Sequence, residues 1–385
     1  MLNATGSGLT MAFMMVYFTR MTTISLSVIG LAITIGRATS SLIPIFIGKL
    51  LDKLGPGKLS IYGDFISGIG FIICLFARDP FTIMFTQFLI QAGSHIYWTS
   101  NRGLVLLASE VKGTQTWFGL IASIRNIGLG IGAIFTSLAL TINDTTGLNY
   151  TIAFSALLFF LSCIALFVWQ PKKICDEIDD VNSKENKGLK DVLLNNRYRE
   201  LLIVNFGLVL AAMVIPLVII IYATEQLGLP PLFSGGLVIL NTAIIAILSI
   251  HMASWAKKYN SLSTIKCSYL LNILAFTLFW CASITVENQM ITGAVLVGAM
   301  IIYSLAETLS IPTMNMLCIN LAPVKNNGSY MAAFQMTWSL GMTLSPVLFG
   351  WLMDVNKHAI WLILILIIFL ILNVGFRSLK KGIGE

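Results

Sequence analysis

Twelve apolar runs, each long enough to cross a bilayer as a helix, constrain this chain more than any other feature. A helix rises 1.5 Å per residue, so about 20 mostly apolar residues span the hydrocarbon core. The runs fall at about 2–19, 24–47, 59–77, 81–104, 115–140, 150–170, 200–223, 232–253, 263–284, 290–314, 328–351 and 358–376. No ten-residue alternation of apolar and polar residues recurs, which argues against a membrane barrel. Pro44, Pro216, Pro312 and Pro346 lie within runs, where membrane helices tolerate proline. Composition agrees: 57% of residues are hydrophobic and 11% charged, against roughly 25% charged in soluble domains. The expected class is an all-α membrane protein with twelve transmembrane helices. The same figures exclude a disordered, collagenous, coiled-coil or disulfide-rich secreted chain.

The formal net charge is +7. In a chain of this class, excess Lys and Arg set topology by remaining in cytoplasmic loops, and nucleic acid is not an expected partner. With both termini cytoplasmic, about 19 Lys and Arg lie near inner ends and about three (Arg20, Arg78 and Lys357) near outer ends. The longest hydrophilic segment, 171–199, carries mixed charges and a short helical stretch near Gly188–Asn196. It divides six runs from six, the arithmetic of a transporter built from two pseudo-symmetric halves. The expected organisation is a six-helix half at 1–170, a cytoplasmic linker at 171–199, a second six-helix half at 200–377 and a cytoplasmic tail at 378–385.

Two features at the margins add little chemistry. Six cysteines are present without a CxxC pair, and five lie in or beside apolar runs, where Cys acts as a small hydrophobe. The first run begins almost at Met1 with no Lys or Arg before it, which disfavours a signal peptide. Either this helix is short or the recorded start lies inside it.

The loop between the second and third runs reads Gly48-Lys-Leu-Leu-Asp52-Lys53-Leu-Gly55-Pro-Gly57-Lys58. It resembles the signature loop of the major facilitator superfamily, at the position where that family carries it. Gly48, Leu50, Asp52 and Gly55 match, Lys53 matches conservatively, and Pro56 and Gly57 replace the usual basic pair. Tyr303 to Pro312 resembles a tenth-span pattern of the drug-efflux-like branches. The stretches Ala322–Tyr330 and Gly341–Gly350 resemble their eleventh span, and Arg125 to Gly132 their fifth. The second-half copy of the signature loop, Trp255 to Asn260, is degraded. The resemblance implies a gating loop of Gly48, Asp52, Lys53 and Gly55. In that family the aspartate meets the start of the eleventh helix, here near Gly328, with Arg102 as a basic partner. Within the fifth run, Gly128 and Gly132 share a helical stripe that permits close packing, and Gly130 does not. A flexible point for rocking is the alternative.

Ionisable groups inside membrane helices face a cavity or a partner. Arg37, Arg125 and Glu307 sit at inner-to-middle depth, with His95, Gln87 and Gln91 at similar depth. Either they hold the bundle together through an Arg–Glu pair or they line a substrate and proton pathway of Arg37, His95, Arg125 and Glu307. Two Arg against one Glu favours anionic or zwitterionic substrates, because Arg forks onto carboxylate or phosphate. Histidine ordinarily titrates near neutrality, so His95 is a candidate proton carrier. Glu307 is the candidate for loading and releasing a coupling proton. Asp64 is expected at the inner membrane interface. Tyr97, Trp98, Met336 and Trp338 are candidates to line a permissive pocket.

No HExxH, phosphate-binding Gly-x-x-x-x-Gly-Lys-[Ser/Thr] or Cys/His metal cluster occurs. An enzyme is therefore not expected, nor is a catalytic residue, cofactor or metal; a proton gradient is the expected driving force. The reading is a monomeric secondary transporter in the plasma (bacterial inner) membrane, exporting a small molecule in exchange for protons. An uptake permease for a small metabolite, and a transport-inactive receptor or scaffold of the same fold, are the alternatives.

Overall fold

A computed structural model describes residues 1–11, 14–109, 113–142, 144–169, 189–323, 327–355 and 359–383. The described residues contain helices and no strand. The helices are α1 (Leu2–Met11), α2 (Met14–Met21), α3 (Leu26–Ser40), α4 (Ile43–Cys74), α5 (Pro80–Ala108), α6 (Thr114–Ile142) and α7 (Asp144–Trp169). Beyond the linker come α8 (Leu189–Leu194), α9 (Asn196–Ala212), α10 (Pro231–Ala256), α11 (Ser261–Ala282), α12 (Gln289–Asn320), α13 (Asn327–Val355) and α14 (Ala359–Ile383). Most of the linker, 170–188, lies outside the described residues. The short helix expected near Gly188–Asn196 is α8, and α14 continues as helix into the segment expected as a tail.

Local chemistry explains most helix starts. Asp79, Asn195, Asn260 and Asn288 cap α5, α9, α11 and α12 by accepting N–H groups that have no partner inside the helix. Pro80 and Pro231 begin α5 and α10, where a missing N–H is harmless. Two expected spans are less regular than the runs suggested. The second breaks at Ser41–Leu42, because Pro44 cannot return a hydrogen bond to Ser40 and its ring crowds that carbonyl. The seventh ends in two π turns, Ile215–Ile219 and Tyr222–Gln226. Pro216 lacks the N–H that the Ala212 carbonyl would take in an α-helix, so the ladder slips by one residue.

The helices pack into two compact units, and each draws one segment from across the linker. The first comprises Met1–Val111, Ile124–Val192 and Ala322–Ser339; the second comprises Lys112–Ser123, Leu193–Leu321 and Leu340–Glu385. The first unit has a core of Tyr17, Phe18, Phe71, Cys74, Ile83 and Phe159. In the second, Trp361 stacks on Phe279 at 4.8 Å between ring centroids and meets Tyr222 edge-on at 5.0 Å. Large apolar side chains also face outward, among them Phe46, Phe76, Phe167 and Val347. So many exposed large apolar side chains suit a surface that faces lipid.

Glycine contacts set the closest approaches in the first unit. A Cβ on Gly63 would lie 2.7 Å from the Gly93 carbonyl and the Tyr97 nitrogen, so α4 and α5 cross backbone to backbone. A Cβ on Gly132 would lie 2.5 Å from the Leu9 nitrogen, and one on Gly128 would lie 2.8 Å from the Ala4 Cβ. Gly130 has nothing within 4 Å. The stripe read from the sequence is thus a packing seam between α6 and α1, and Thr136 Oγ1 seals it by donating to the Leu9 carbonyl at 2.5 Å.

Candidate functional site

The signature segment begins as the first turns of α4 and ends at Gly55, whose φ of 77° and ψ of 160° interrupt the helix. A side chain would strain that conformation, and glycine does not. Gly48 lies upstream on the face turned toward α13, where a Cβ would come within 2.7 Å of the Ser329 Cα. That clearance brings Asp52 to the first turn of α13, and its Oδ1 accepts the Gly328 N–H at 2.9 Å. The N-terminus of α13 has N–H groups without intrahelical partners and a partial positive charge, so an anion suits it. Asp52 is half-buried and Lys53 exposed. Burial pushes the Asp52 carboxyl above its ordinary value; the Gly328 bond pulls the other way and is the smaller effect.

Two further contacts join α5 to the same stretch of α13. Arg102 was expected beside Asp52. Its Nη1 donates to the Gln335 Oε1 at 3.0 Å and to the Trp98 carbonyl at 2.9 Å, and its guanidinium lies 4.7 Å from the Phe334 ring centroid. His95, about two turns earlier on α5, is buried, and its Nδ1 lies 3.1 Å from the Ser339 Oγ. Gly328, Gln335 and Ser339 are seven and four residues apart and so share one face of α13. The loop, Arg102 and His95 therefore engage a single helical stripe.

The remaining candidates fall in separate places. Arg37 lies in the last turn of α3 with an exposed side chain, and among the described residues its guanidinium has no hydrogen-bond partner. Its neighbour Gly36 packs on α5 beside Gln87. Arg125 on α6 is exposed and lies 4.8 Å over the Trp98 ring, a cation–π contact that also orients the indole. Glu307 belongs to the second unit, where the Asn241 Nδ2 donates to its Oε2 at 3.2 Å and to the Ser304 Oγ at 3.0 Å. Gln115 Nε2 donates to Thr313 Oγ1 at 3.1 Å in the same unit. Trp98, Met336 and Trp338 are all half-buried, and Tyr97 meets Trp98 edge-on.

Several polar partners were not read from the sequence: Gln335, Ser339, Asn241, Gln115 and Thr313. Each is an ordinary polar residue in an apolar run, and pairing alone marks it out. Asp64 requires a correction. It is fully buried and accepts from Asn3 Nδ2 and, at 2.6 Å, from Ser162 Oγ. Its carboxyl is not open to an aqueous interface, because α1 and α7 close over it. Among the described residues no group of three or more His, Cys, Asp or Glu could hold a metal ion.

A model of the Major Facilitator Superfamily matches residues 1–346. The multidrug resistance protein MdtH of Escherichia coli is 22% identical over 361 residues, covering 92% of this chain and 86% of its own. The E. coli fucose:proton symporter FucP superposes with a TM-score of 0.78 at 16% identity, covering 98% of this chain and 96% of that one. A bacterial homologue of the iron transporter ferroportin, in an outward-facing state, gives 0.74 at 14% identity with the same coverage.

Proposed function

This chain belongs to the Major Facilitator Superfamily, and we propose that it exports an anionic, zwitterionic or drug-like small molecule in exchange for protons. It is a multi-pass membrane transporter with the twelve-helix fold of that family; direction, substrate and coupling are the proposal. The observation that carries it is the hydrogen bond from Gly328 to Asp52, which docks the signature loop on α13. Such a contact serves alternating access if it forms in one state and breaks in another, since a device that only scaffolds has no use for a reversible lock. The Arg102–Gln335 and His95–Ser339 contacts extend the same lock deeper into the membrane.

Substrate class follows from the charged groups. Arg125 on Trp98 presents a guanidinium fork beside an aromatic face, which suits a carboxylate or phosphate on an organic body. Arg37 adds a second cation in the first unit. Glu307, held by Asn241, is the group assigned to proton exchange. Export rests on the resemblance to drug-efflux-like members and on MdtH, whose name records multidrug resistance. Both termini are assigned to the cytoplasm of a bacterial inner membrane, from the Lys and Arg bias.

The test is a thermal-shift screen of the purified protein against organic anions, zwitterionic peptides, lipophilic cations and sugars. A ligand at 100 times its dissociation constant stabilises by about 2.7 kcal/mol. A shift with anions or zwitterions that Arg125→Ala removes supports the reading. A shift with lipophilic cations alone overturns the substrate class. FucP, a symporter of the same fold, makes uptake the second reading, and a sugar-only shift favours it.

A further inference from the structure

Asp64 belongs to the first unit, on α4 beyond the Gly55 break that ends the gating segment, and is 0% exposed. Three helices face it from outside its own. Asn3 from α1 donates to its Oδ1, and Ser162 Oγ from α7 donates to its Oδ2 at 2.6 Å. The titratable groups facing it are Tyr97 from α5, Cys163 from α7 and the Met1 amino group at the start of α1. Among the described residues it makes no ion pair, and both hydrogen-bond partners are neutral.

A carboxylate removed from water without a bonded cation is costly, and a carboxylic acid is not. The neutral acid also satisfies this geometry. Its carbonyl oxygen accepts the Asn3 amide, and its hydroxyl donates to the Ser162 oxygen, reversing the hydrogen of that pair. α1 forms one wall of the chamber, and small residues hold that helix in place. A Cβ on Gly6 would lie 3.0 Å from the Phe159 ring, and Cβ atoms on Gly128 and Gly132 would crowd Ala4 and Leu9. A modest withdrawal of α1 would remove Asn3 and admit water to the carboxyl. The acid would then release its proton to that water and become a hydrated carboxylate.

We propose that Asp64 is a proton-binding site separate from Glu307, occupied while α1 is seated against α4 and α7 and emptied when α1 withdraws. The role in transport rests on the proton-coupled reading above; the occupancy of the site does not. Infrared spectroscopy of the full chain in lipid nanodiscs at pH 7 tests occupancy through the C=O stretch of a protonated carboxyl. Asp64→Asn should remove a band that Glu307→Gln leaves in place, and Ser162→Ala should move the frequency of that band. A protonated-carboxyl spectrum unchanged by Asp64→Asn overturns the proposal. Asn is close to Asp in shape and Ser162→Ala leaves the carboxyl intact, so a folding failure of one variant leaves the other to decide.

Transport is measured separately in proteoliposomes with carboxyfluorescein as the probe. Asp64→Asn should lower gradient-driven flux by about tenfold and spare gradient-free exchange. Flux in the wild type that ignores the gradient overturns the proton-coupled reading, and the infrared result still decides occupancy. Gradient-driven flux in Asp64→Asn equal to wild type overturns the assignment of Asp64 to the cycle.

Discussion

The backbone N–H of Gly328 donates to the Asp52 carboxylate across 276 positions of sequence, at 2.9 Å. The loop and the helix could not meet if either partner glycine carried a side chain. A Cβ on Gly328 would lie 2.7 Å from the Asp52 Oδ1, and one on Gly48 would lie 2.7 Å from the Ser329 Cα.

Asp52→Asn and Asp52→Ala should therefore fail differently. Asparagine keeps an oxygen for the Gly328 N–H and removes the charge whose hydration helps draw the loop out. The lock should form, and transport should fall by about tenfold, or ~1.4 kcal/mol. Alanine removes the acceptor, at about 0.5–1.5 kcal/mol for a typical hydrogen bond, and should speed amide exchange at the start of α13. Transport assays on equal amounts of inserted protein, with amide exchange over 327–335, separate the two. Wild-type transport by both variants would remove Asp52 from the cycle.

The lock should also respond to pH. Burial raises the Asp52 carboxyl in the docked state, so the docked state holds its proton more readily than the solvated loop does. Such a group contributes fully below the ordinary carboxylate value, and its contribution is lost as pH rises through the docked value. Docking should weaken with rising pH across that window, and Asp52→Asn should flatten the dependence. Amide exchange at Gly328, corrected for the intrinsic pH effect, checks this; a profile that strengthens with pH would reverse the sign.

The three glycines of α6 give a control built into one helix. Gly132→Ala forces a methyl group against the α1 backbone and should cost about 1–3 kcal/mol. Gly130→Ala meets nothing within 4 Å and should be neutral or stabilising, by up to about 1 kcal/mol from helix propensity. Thermal unfolding of the two variants decides it. Equal damage at both positions would favour the rocking role over the packing seam.

Arg125→Lys keeps the charge and loses the planar fork over Trp98. Binding of a carboxylate-bearing ligand from the anion or zwitterion pool should weaken about tenfold, since a point charge replaces two directed bonds. Titration of the thermal shift with that ligand measures the loss. Unchanged affinity would mean that charge alone, or another residue, binds it.

Much of this architecture was legible in the sequence because a bilayer imposes one length and one polarity on every span. The observed helices for the fourth, fifth, eighth, ninth and tenth runs begin within one or two residues of the expected starts. The contact of Asp52 with the start of α13 was legible through the signature loop. The burial of Asp64 was not, because three helices from distant sequence close over it and nothing near residue 64 records them. Arg102 is expected beside Asp52 from its place at the inner end of the fourth span, and the contact to Gln335 is not legible because it joins α5 to a helix far along the chain. Asn241 became visible only when α10 placed it beside Glu307. The break at Ser41–Leu42 was readable from Pro44, whose effect on the preceding turn is local.

The central claim is that proton movement drives export, and the most direct measurement is carboxyfluorescein accumulation in inside-out membrane vesicles with an imposed pH gradient, acid inside. Wild-type vesicles should accumulate the dye only while the gradient lasts, a protonophore should release it, and Glu307→Gln should abolish gradient-driven uptake while sparing exchange. Accumulation that survives the protonophore, or a Glu307→Gln variant with full gradient-driven uptake, would contradict the account.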